Sequence, residues 1–571
     1  MQNLPRIFTF AGVLSLIFTS SMAQDKPFVL EEATISSVHS AIKNQQVSCE
    51  DIVTAYIDRI KKYDLDMNNN RPPFNAITAI NPNALEQARQ LDSAYARTHQ
   101  ISGALYCIPV ILKDNIDTYD VTTTSGSLAL LGNQPIKDAF LVAQLRAAGA
   151  IILAKGAMDE FASGISGISS RNGRIGNAYN PAQNPGGSSG GVAVAVSTNF
   201  AMVGIGTDNS GSVRIPSAFN GLIGLRPTTG LISQNGILPR GNMDGTAGPI
   251  ARTPEDLARV LGVVAHADPS DPKTLNISRT EDYTQFLVAT GLNHKRIGII
   301  QSVNGVNLFK GMPTDTLTTL QKGFKEMQKM GATLIPDIHL PHYDMNRRFN
   351  EAGEREDVNH YLASYPAARK NYAEICNSGR TSLFGTSAQC LTFIKNLPEK
   401  NSVQYQRALA IFKKNRTYVE GIMEKYHLDA LLVPVSAYGS ATYDDSTVLS
   451  EGVASNAGLP GITFTLGYTH SEAQMPIGIE LIGKHLDEGP LIGMAYAWQK
   501  HVGPRQAPVM PVADTQLSGL DIPALNNLFT LIGHDAYQSV LKNSTRENYV
   551  KNLPPEKFRD IVTKRLSEPL L

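Results

Sequence analysis

The sequence predicts an α/β fold, one large domain in which helices cover a central β-sheet. Three observations carry the prediction. Short apolar runs alternate with segments of helical periodicity, the rhythm of β-α-β units. No internal repeat or low-complexity linker divides the 571 residues, although length alone would suggest about four domains. Hydrophobic residues make up 42% and charged residues 18%, which excludes a disordered chain.

The elements follow in chain order. Asn83–Tyr95 brings Ala84, Ala88, Leu91 and Tyr95 onto one face and reads as an amphipathic helix. Ile108–Leu112 reads as a buried strand that ends at Lys113. Leu141–Ala148 reads as a helix that stops at Gly149 and hands over to a strand, Ile151–Ala154, so a largely parallel sheet is expected there. Asn177–Gly191 is rich in Asn, Pro, Gly and Ser and is expected to be a loop, and Thr207–Gly211 a turn. Thr253-Pro254-Glu255-Asp256 has the cap, first-position proline and acidic first turn of a helix start. Strands are expected at Arg296–Ile300 and Ala332–Ile335, around a helix Thr314–Met330. Pro336–Leu397 is expected to be irregular, an insertion or lid. Strand patterns return at Leu431–Val435, Gly461–Leu466 and Ile477–Ile482, and a helical tail follows.

The N-terminus predicts export. Arg6 is the only charge before Asp25, Ile7–Phe18 is almost wholly apolar, and Ser21-Met22-Ala23 supplies small residues for cleavage. The expected parts are a signal peptide, 1–23, a main domain, 24–505, and a tail, 506–571, in a periplasmic or secreted protein. A buried first helix and an uncleaved anchor are the alternatives. The apolar run of about 12 residues is short for a span of roughly 20, so no stable membrane span is expected after processing. Lys+Arg and Asp+Glu balance at 51 each with no basic run, so no nucleic-acid partner is expected. Of the four cysteines, Cys376 and Cys390 are candidates for a bridge; the alternative is four free thiols, with Cys107 buried in an apolar strand. No CxxC, HExxH or histidine cluster occurs, so neither a metal nor a cofactor is expected.

Three segments carry chemistry. Gly186-Gly187-Ser188-Ser189-Gly190-Gly191 can hold a serine hydroxyl against another polar group with little steric interference. Gly206-Thr207-Asp208-Asn209-Ser210-Gly211-Ser212-Val213-Arg214 is a second run of small residues, whose successive N–H groups can converge on an anion. Lys113 is the third. The hexapeptide also fits G-x-S-x-G, the hydrolase elbow with Ser188 as nucleophile, but that motif needs a strand directly before it. Asn177–Pro185 reads as coil instead. A phosphate-binding loop fails because no Gly-Lys-Ser/Thr closes it.

Together these segments resemble the amidase signature family of serine hydrolases. The resemblance runs over roughly residues 45–505 and includes Cys107-Ile108-Pro109-Val110, Ile223-Gly224-Leu225-Arg226-Pro227-Thr228, Ala457-Gly458-Leu459-Pro460 and Pro476-Ile477-Gly478. It implies a mixed central sheet and a catalytic Lys with two serines 24 residues apart, as Ser188 and Ser212 are. Ser212 is then the nucleophile, Ser188 the proton relay, preceded by a cis peptide bond, and Lys113 the base. A lysine of ordinary pKa, about 10.4, serves as a base near neutrality only if burial lowers it. The oxyanion hole is expected from the backbone N–H groups of Asn209, Ser210, Gly211 and Ser212. Ser189, Asp208 and Arg214 are expected to support the loops. Two departures stand out: Asn209-Ser210 where relatives often carry a hydrophobic or Thr residue and then Gly, and Cys107 where they usually have Gly, expected here as a packing change.

The function expected is hydrolysis of linear amides, with a small-molecule or peptide amide as substrate. An esterase or N-acyl (lipid) amide hydrolase with the same triad is the alternative, and a non-catalytic envelope-binding protein on this fold the third reading. The oligomeric state is left open.

Overall fold

A 12-stranded sheet runs through the molecule. In spatial order its strands are Ile77–Ile80, Ile151–Gly156, Pro109–Lys113, Val203–Asp208, Thr246–Ala251, Ile223–Arg226, Gly461–Tyr468, Pro476–Ile482, Ala430–Pro434, Arg296–Val303 and Val306–Asn307. The twelfth, Thr333–Leu340, pairs with Arg296–Val303 as well. The computed structural model describes residues 28–65, 74–239, 245–345, 351–381, 386–437, 452–470 and 474–510. The expected signal peptide, 1–23, and the tail beyond 510 lie outside them.

The sheet is mixed rather than largely parallel. Pro109–Lys113 is parallel to both neighbours, and Arg296–Val303 is parallel to Thr333–Leu340 and Ala430–Pro434. The centre is antiparallel, from Val203–Asp208 through to Ala430–Pro434. Fully buried strands read as apolar runs in either direction, so their pattern does not encode orientation.

Helix Gly190–Ser197 lies against strands Pro109–Lys113, Val203–Asp208 and Ile151–Gly156 with every residue buried. It therefore shows no polar face, and its sequence reads only as an apolar continuation of the Gly/Ser loop. The signalled helix at Thr253 forms as Pro254–Val264, with the Thr253 hydroxyl accepting the Asp256 N–H at 3.1 Å. Ala84–Thr98, Phe140–Ala147 and Thr314–Lys329 also form where periodicity places them.

Two expectations fail. Thr207 and Asp208 do not belong to a turn; they end the strand Val203–Asp208, and the turn begins at Asn209. The described residues of Pro336–Leu397 are not irregular. Pro336 and Asp337 sit at a register shift inside an edge strand that continues to Leu340, a position where a strand tolerates proline. Helices Glu354–Ala363, Tyr372–Asn377 and Ser387–Asn396 follow. They are too short for a strong apolar period, and their buried Leu362, Ile375 and Ile394 form one cluster with Leu130, Phe161 and Leu238.

Candidate active site

The parallel register of Pro109–Lys113 on Val203–Asp208 sets Leu112 beside Ile205. Lys113 and Thr207 therefore meet at the carboxyl ends of adjacent strands. Lys113 is fully buried, and its Nζ donates to Ser188 Oγ at 2.7 Å, Thr207 Oγ1 at 2.8 Å and Thr207 O at 3.2 Å. The apolar strand gives the backbone a reason to bury there, and these oxygens satisfy the amine it carries along.

Ser188 lies in the loop that precedes helix Gly190–Ser197, after a cis Gly187–Ser188 bond. Coil, not strand, precedes the loop, which removes the elbow reading. The Ser188 carbonyl accepts the Asp159 N–H at 3.2 Å. Burial raises the Asp159 carboxyl above its usual range, against N–H groups donated by Ile168, Gly167 and Ser166. A Cβ at Gly187 would stand 1.9 Å from Asp159 Oδ2, so the glycine is required by contact alone. Gly206 answers a similar need: its Cβ would meet Ser189 Oγ at 2.6 Å. Through that gap the Ser189 hydroxyl reaches Thr207 O at 3.2 Å, while the Ser189 N–H donates to Ser212 O at 3.1 Å and ties the two loops together.

The loop carrying Ser212 is shaped by Asp208. Its carboxylate accepts the N–H groups of Gly211 at 2.8 Å and Val213 at 3.0 Å, and both Nε and Nη2 of Arg214. Burial by itself would raise the Asp208 pKa, but the charges of Arg214 and Arg226 outweigh it and hold the carboxyl well below the usual range. Arg214 also donates to Glu480 Oε1 at 2.6 Å and Ser455 Oγ at 3.3 Å. Burial wins at Glu480: its pKa is raised, because it shares one close arginine and its other oxygen has no partner. The Gly211 N–H is thus committed to Asp208, which withdraws it from the expected oxyanion hole. Its φ of +107° faces the N–H to the carboxylate within the same turn.

Lys113 and Ser188 are fully buried, while Ser212 is 5% exposed. Of the three, Ser212 is the one that solvent reaches. The arrangement sets a buried amine against the Ser188 hydroxyl, beside the loop that carries Ser212. Sequence reasoning missed Thr207, Asn115, Asp159, Arg226 and Glu480 as parts of the site. A lone carboxylate in the apolar strand Pro476–Ile482 was a readable signal for Glu480; Asp159 gives none.

All four cysteines are paired, Cys49 with Cys107 and Cys376 with Cys390. The candidate bridge Cys376–Cys390 forms, and the alternative of four free thiols with Cys107 in a strand does not hold. That residue precedes the strand at φ +60°, a left-handed position that favours glycine, and its thiol reaches Cys49 at the start of helix Cys49–Ile60. A cavity of about 250 Å³, lined by Phe464, Trp498 and Arg505 among others, lies at the other end of the sheet, beside Ile223 and Arg252. Asp208 and Thr246 pair at the end beside Lys113 and Val203 and Ala251 at the cavity end, so the cavity is distinct from the candidate site. No group of His, Cys, Asp and Glu suited to a metal occurs among the described residues, and no described helix is long and apolar enough to cross a membrane.

The family model for amidases matches residues 51–492. Among curated proteins, a glutamyl-tRNA(Gln) amidotransferase component from Alkaliphilus metalliredigens is 31% identical over 83% of this chain and 97% of its own. A probable amidase of Arabidopsis thaliana is 29% identical over 88% and 96%. Among solved structures, the peptide amidase of Stenotrophomonas maltophilia superposes with a TM-score of 0.76 at 31% identity, covering 85% of this chain and all of that one.

Proposed function

The chain belongs to the amidase family and is a C–N hydrolase, and from that premise we propose that it cleaves linear amides, peptide amides among them, through Lys113, Ser188 and Ser212. The observation that carries this reading is the 2.7 Å hydrogen bond between Lys113 Nζ and Ser188 Oγ, sealed from water and bound by one backbone hydrogen bond to the Ser212 loop.

With Lys113 neutral, Ser188 passes its proton to Nζ and takes the proton of Ser212. The Ser212 Oγ bonds to the amide carbon, and the oxyanion is held by backbone N–H groups of Asn209, Ser210 and Ser212. Collapse breaks the C–N bond as the proton returns through Ser188 to the leaving nitrogen. Water then attacks the acyl-enzyme by the same relay, releasing the acid and restoring Ser212. Asp208 and Arg214 hold the loop so that its donors need not reorganise during reaction.

The chain is read as exported. The signal-like N-terminus supports this, and so do two disulfides, which persist in oxidising compartments. An oxidising compartment separates it from aminoacyl-tRNA, so amidotransferase chemistry is the second reading, favoured by the likeness to glutamyl-tRNA(Gln) amidotransferase subunits such as the Alkaliphilus protein. The test is a substrate panel of a C-terminal peptide amide, a long-chain acyl amide, a p-nitroanilide, a matched ester and free glutamine. Wild type and Ser212→Ala are assayed together. Peptide-amide turnover that vanishes in the variant supports the reading. Ester turnover above all amides favours the esterase, and glutamine alone the amidotransferase.

A further inference from the structure

The cavity at the far end of the sheet from Lys113 has the walls of a ligand site. It encloses about 250 Å³ between Phe464, Trp498, Ile223 and Leu466. Phe464 and Trp498 are each 2% exposed, and their ring centroids lie 6.3 Å apart. The indole N–H donates to Thr465 O at 2.8 Å, which fixes the ring. The Pro504–Gln506 segment of the lining is pinned as well. Arg505 donates to both Glu32 carboxylate oxygens, at 3.0 and 2.6 Å, and the Gln506 N–H donates to the Tyr468 hydroxyl at 2.9 Å. A void with fixed walls demands little ordering when a ligand enters it.

Charge and size narrow the occupant. The cations of the lining are already engaged. Arg252 donates to the carbonyls of Val196 at 3.1 Å, Ala201 at 2.9 Å and Ala33 at 2.6 Å, and Arg505 to Glu32 and to Ser197 O at 2.6 Å. An anion would have to draw those bonds away from buried carbonyls and a carboxylate, and it would lose its own hydration against apolar walls. Gln499 differs. Its Nε2 donates to Arg252 O at 3.0 Å, and no described residue donates to its Oε1, so one acceptor of the lining is left for a ligand. An apolar cavity of about 150 Å³ holds a benzene ring. A volume of about 250 Å³ therefore admits a ring with a substituent.

We propose that this cavity binds an uncharged aromatic ring carrying one hydrogen-bond donor, of which phenol is the simplest member. The ring lies against Phe464 and Trp498, and the donor bonds to Gln499 Oε1. None of the lining residues belongs to the candidate active site, so the inference stands apart from the amidase reading.

Trp498 is the one tryptophan of the chain, so its emission reports on this wall alone. The test titrates the full chain with p-cresol, toluene and p-toluate, exciting on the red edge of the indole band, where these probes do not absorb. p-Cresol is expected to change the emission to a saturating limit. Toluene is expected to bind about 3–10-fold more weakly for want of the donor, and p-toluate more weakly still because its charge must shed water. Ala495→Leu, which builds into the cavity from its wall, is expected to abolish saturation. Gln499→Leu is expected to bring p-cresol down to the affinity of toluene. Thermal unfolding checks that each variant is folded; if Ala495→Leu is not, Gln499→Leu and the three probes decide. Emission that changes without saturating, or that saturates equally in folded Ala495→Leu, overturns the site. Equal affinity for p-cresol and toluene, or tighter binding of p-toluate, overturns the chemistry assigned to it.

Discussion

Around Lys113, Ser188 and Ser212, short loops are held by buried hydrogen bonds and ion pairs; from Glu354 to Asn396, short helices are held by an apolar cluster and a disulfide. In the first region Asp208 alone gathers two backbone N–H groups and two arginines. In the second, Leu362, Ile375 and Ile394 pack beside the Cys376–Cys390 bridge. Polar contacts join the two at their margin: Tyr361 donates to Asp117 at 2.6 Å, Asn133 Nδ2 to the Tyr365 hydroxyl at 2.8 Å, the Ala368 N–H to Asn133 Oδ1 at 3.3 Å, and Ser170 to the Arg380 carbonyl at 3.3 Å. Directional bonds fix atoms to tenths of an ångström, which proton transfer needs; apolar packing and a crosslink fix only the placement of an element. The proposed chemistry therefore belongs to the first region, and the second is expected to tolerate change with little effect on it.

Substitutions should show that division. The largest effect is expected from Lys113→Met, which removes the proposed base and its hydrogen bond to Ser188, with a loss of turnover of about a thousandfold or more. Steady-state kinetics on a peptide amide check it.

Next comes Arg214→Met. It strands Glu480 in the interior and leaves Asp208 with Arg226 as its one arginine, with a destabilisation of about 3–5 kcal/mol by denaturant unfolding. Asp208 also gives a signed pH dependence. Its folded pKa is depressed, so the stability it contributes is present above the unfolded value, near 3.9, and is lost as pH falls below it.

Asp117 has the opposite sign. Burial raises its pKa to about 7, offset in part by Tyr361 and Lys155. The folded state therefore holds a proton that the unfolded chain releases near pH 4, and stability should fall as pH rises from about 4 to 7. Asp117→Asn is expected to flatten that slope, gaining roughly 2–4 kcal/mol at pH 8 relative to wild type. Thermal unfolding across pH reads it.

The smallest catalytic effect is expected from replacing both Cys376 and Cys390 by Ser. A crosslink closing a 14-residue separation contributes about 3 kcal/mol in the chain-entropy account. Limited proteolysis should quicken between Glu354 and Asn396 while kcat on a small amide stays within about threefold. A collapse of kcat comparable to that of Lys113→Met would break the division between the regions.

The two regions also differ in how far the sequence exposes them. The Gly/Ser runs and the strand ending at Lys113 are dense local patterns, and the three residues they single out are brought to neighbouring loops and strand ends of one site. Strand direction is not legible, since Thr246–Ala251 and Pro476–Ile482 are buried on both faces and read alike either way. Gly211 reads as an oxyanion donor because backbone N–H groups in a turn look equivalent until the carboxylate of Asp208 claims one. The helices from Glu354 to Asn396 escape a sequence reading because their order comes from distant Leu130, Phe161 and Leu238, not from their own period. Cys107 reads as a packing change because Cys49, 58 residues away, gives no local sign of being its partner.

The most direct test of the whole account is mass spectrometry of enzyme quenched during turnover of an activated acyl amide or ester. The account predicts one acyl group, on Ser212, with fragmentation separating it from Ser188 and Ser189, and no adduct in Ser212→Ala. An acyl group on Ser188, or turnover by Ser212→Ala with no adduct anywhere, would contradict it.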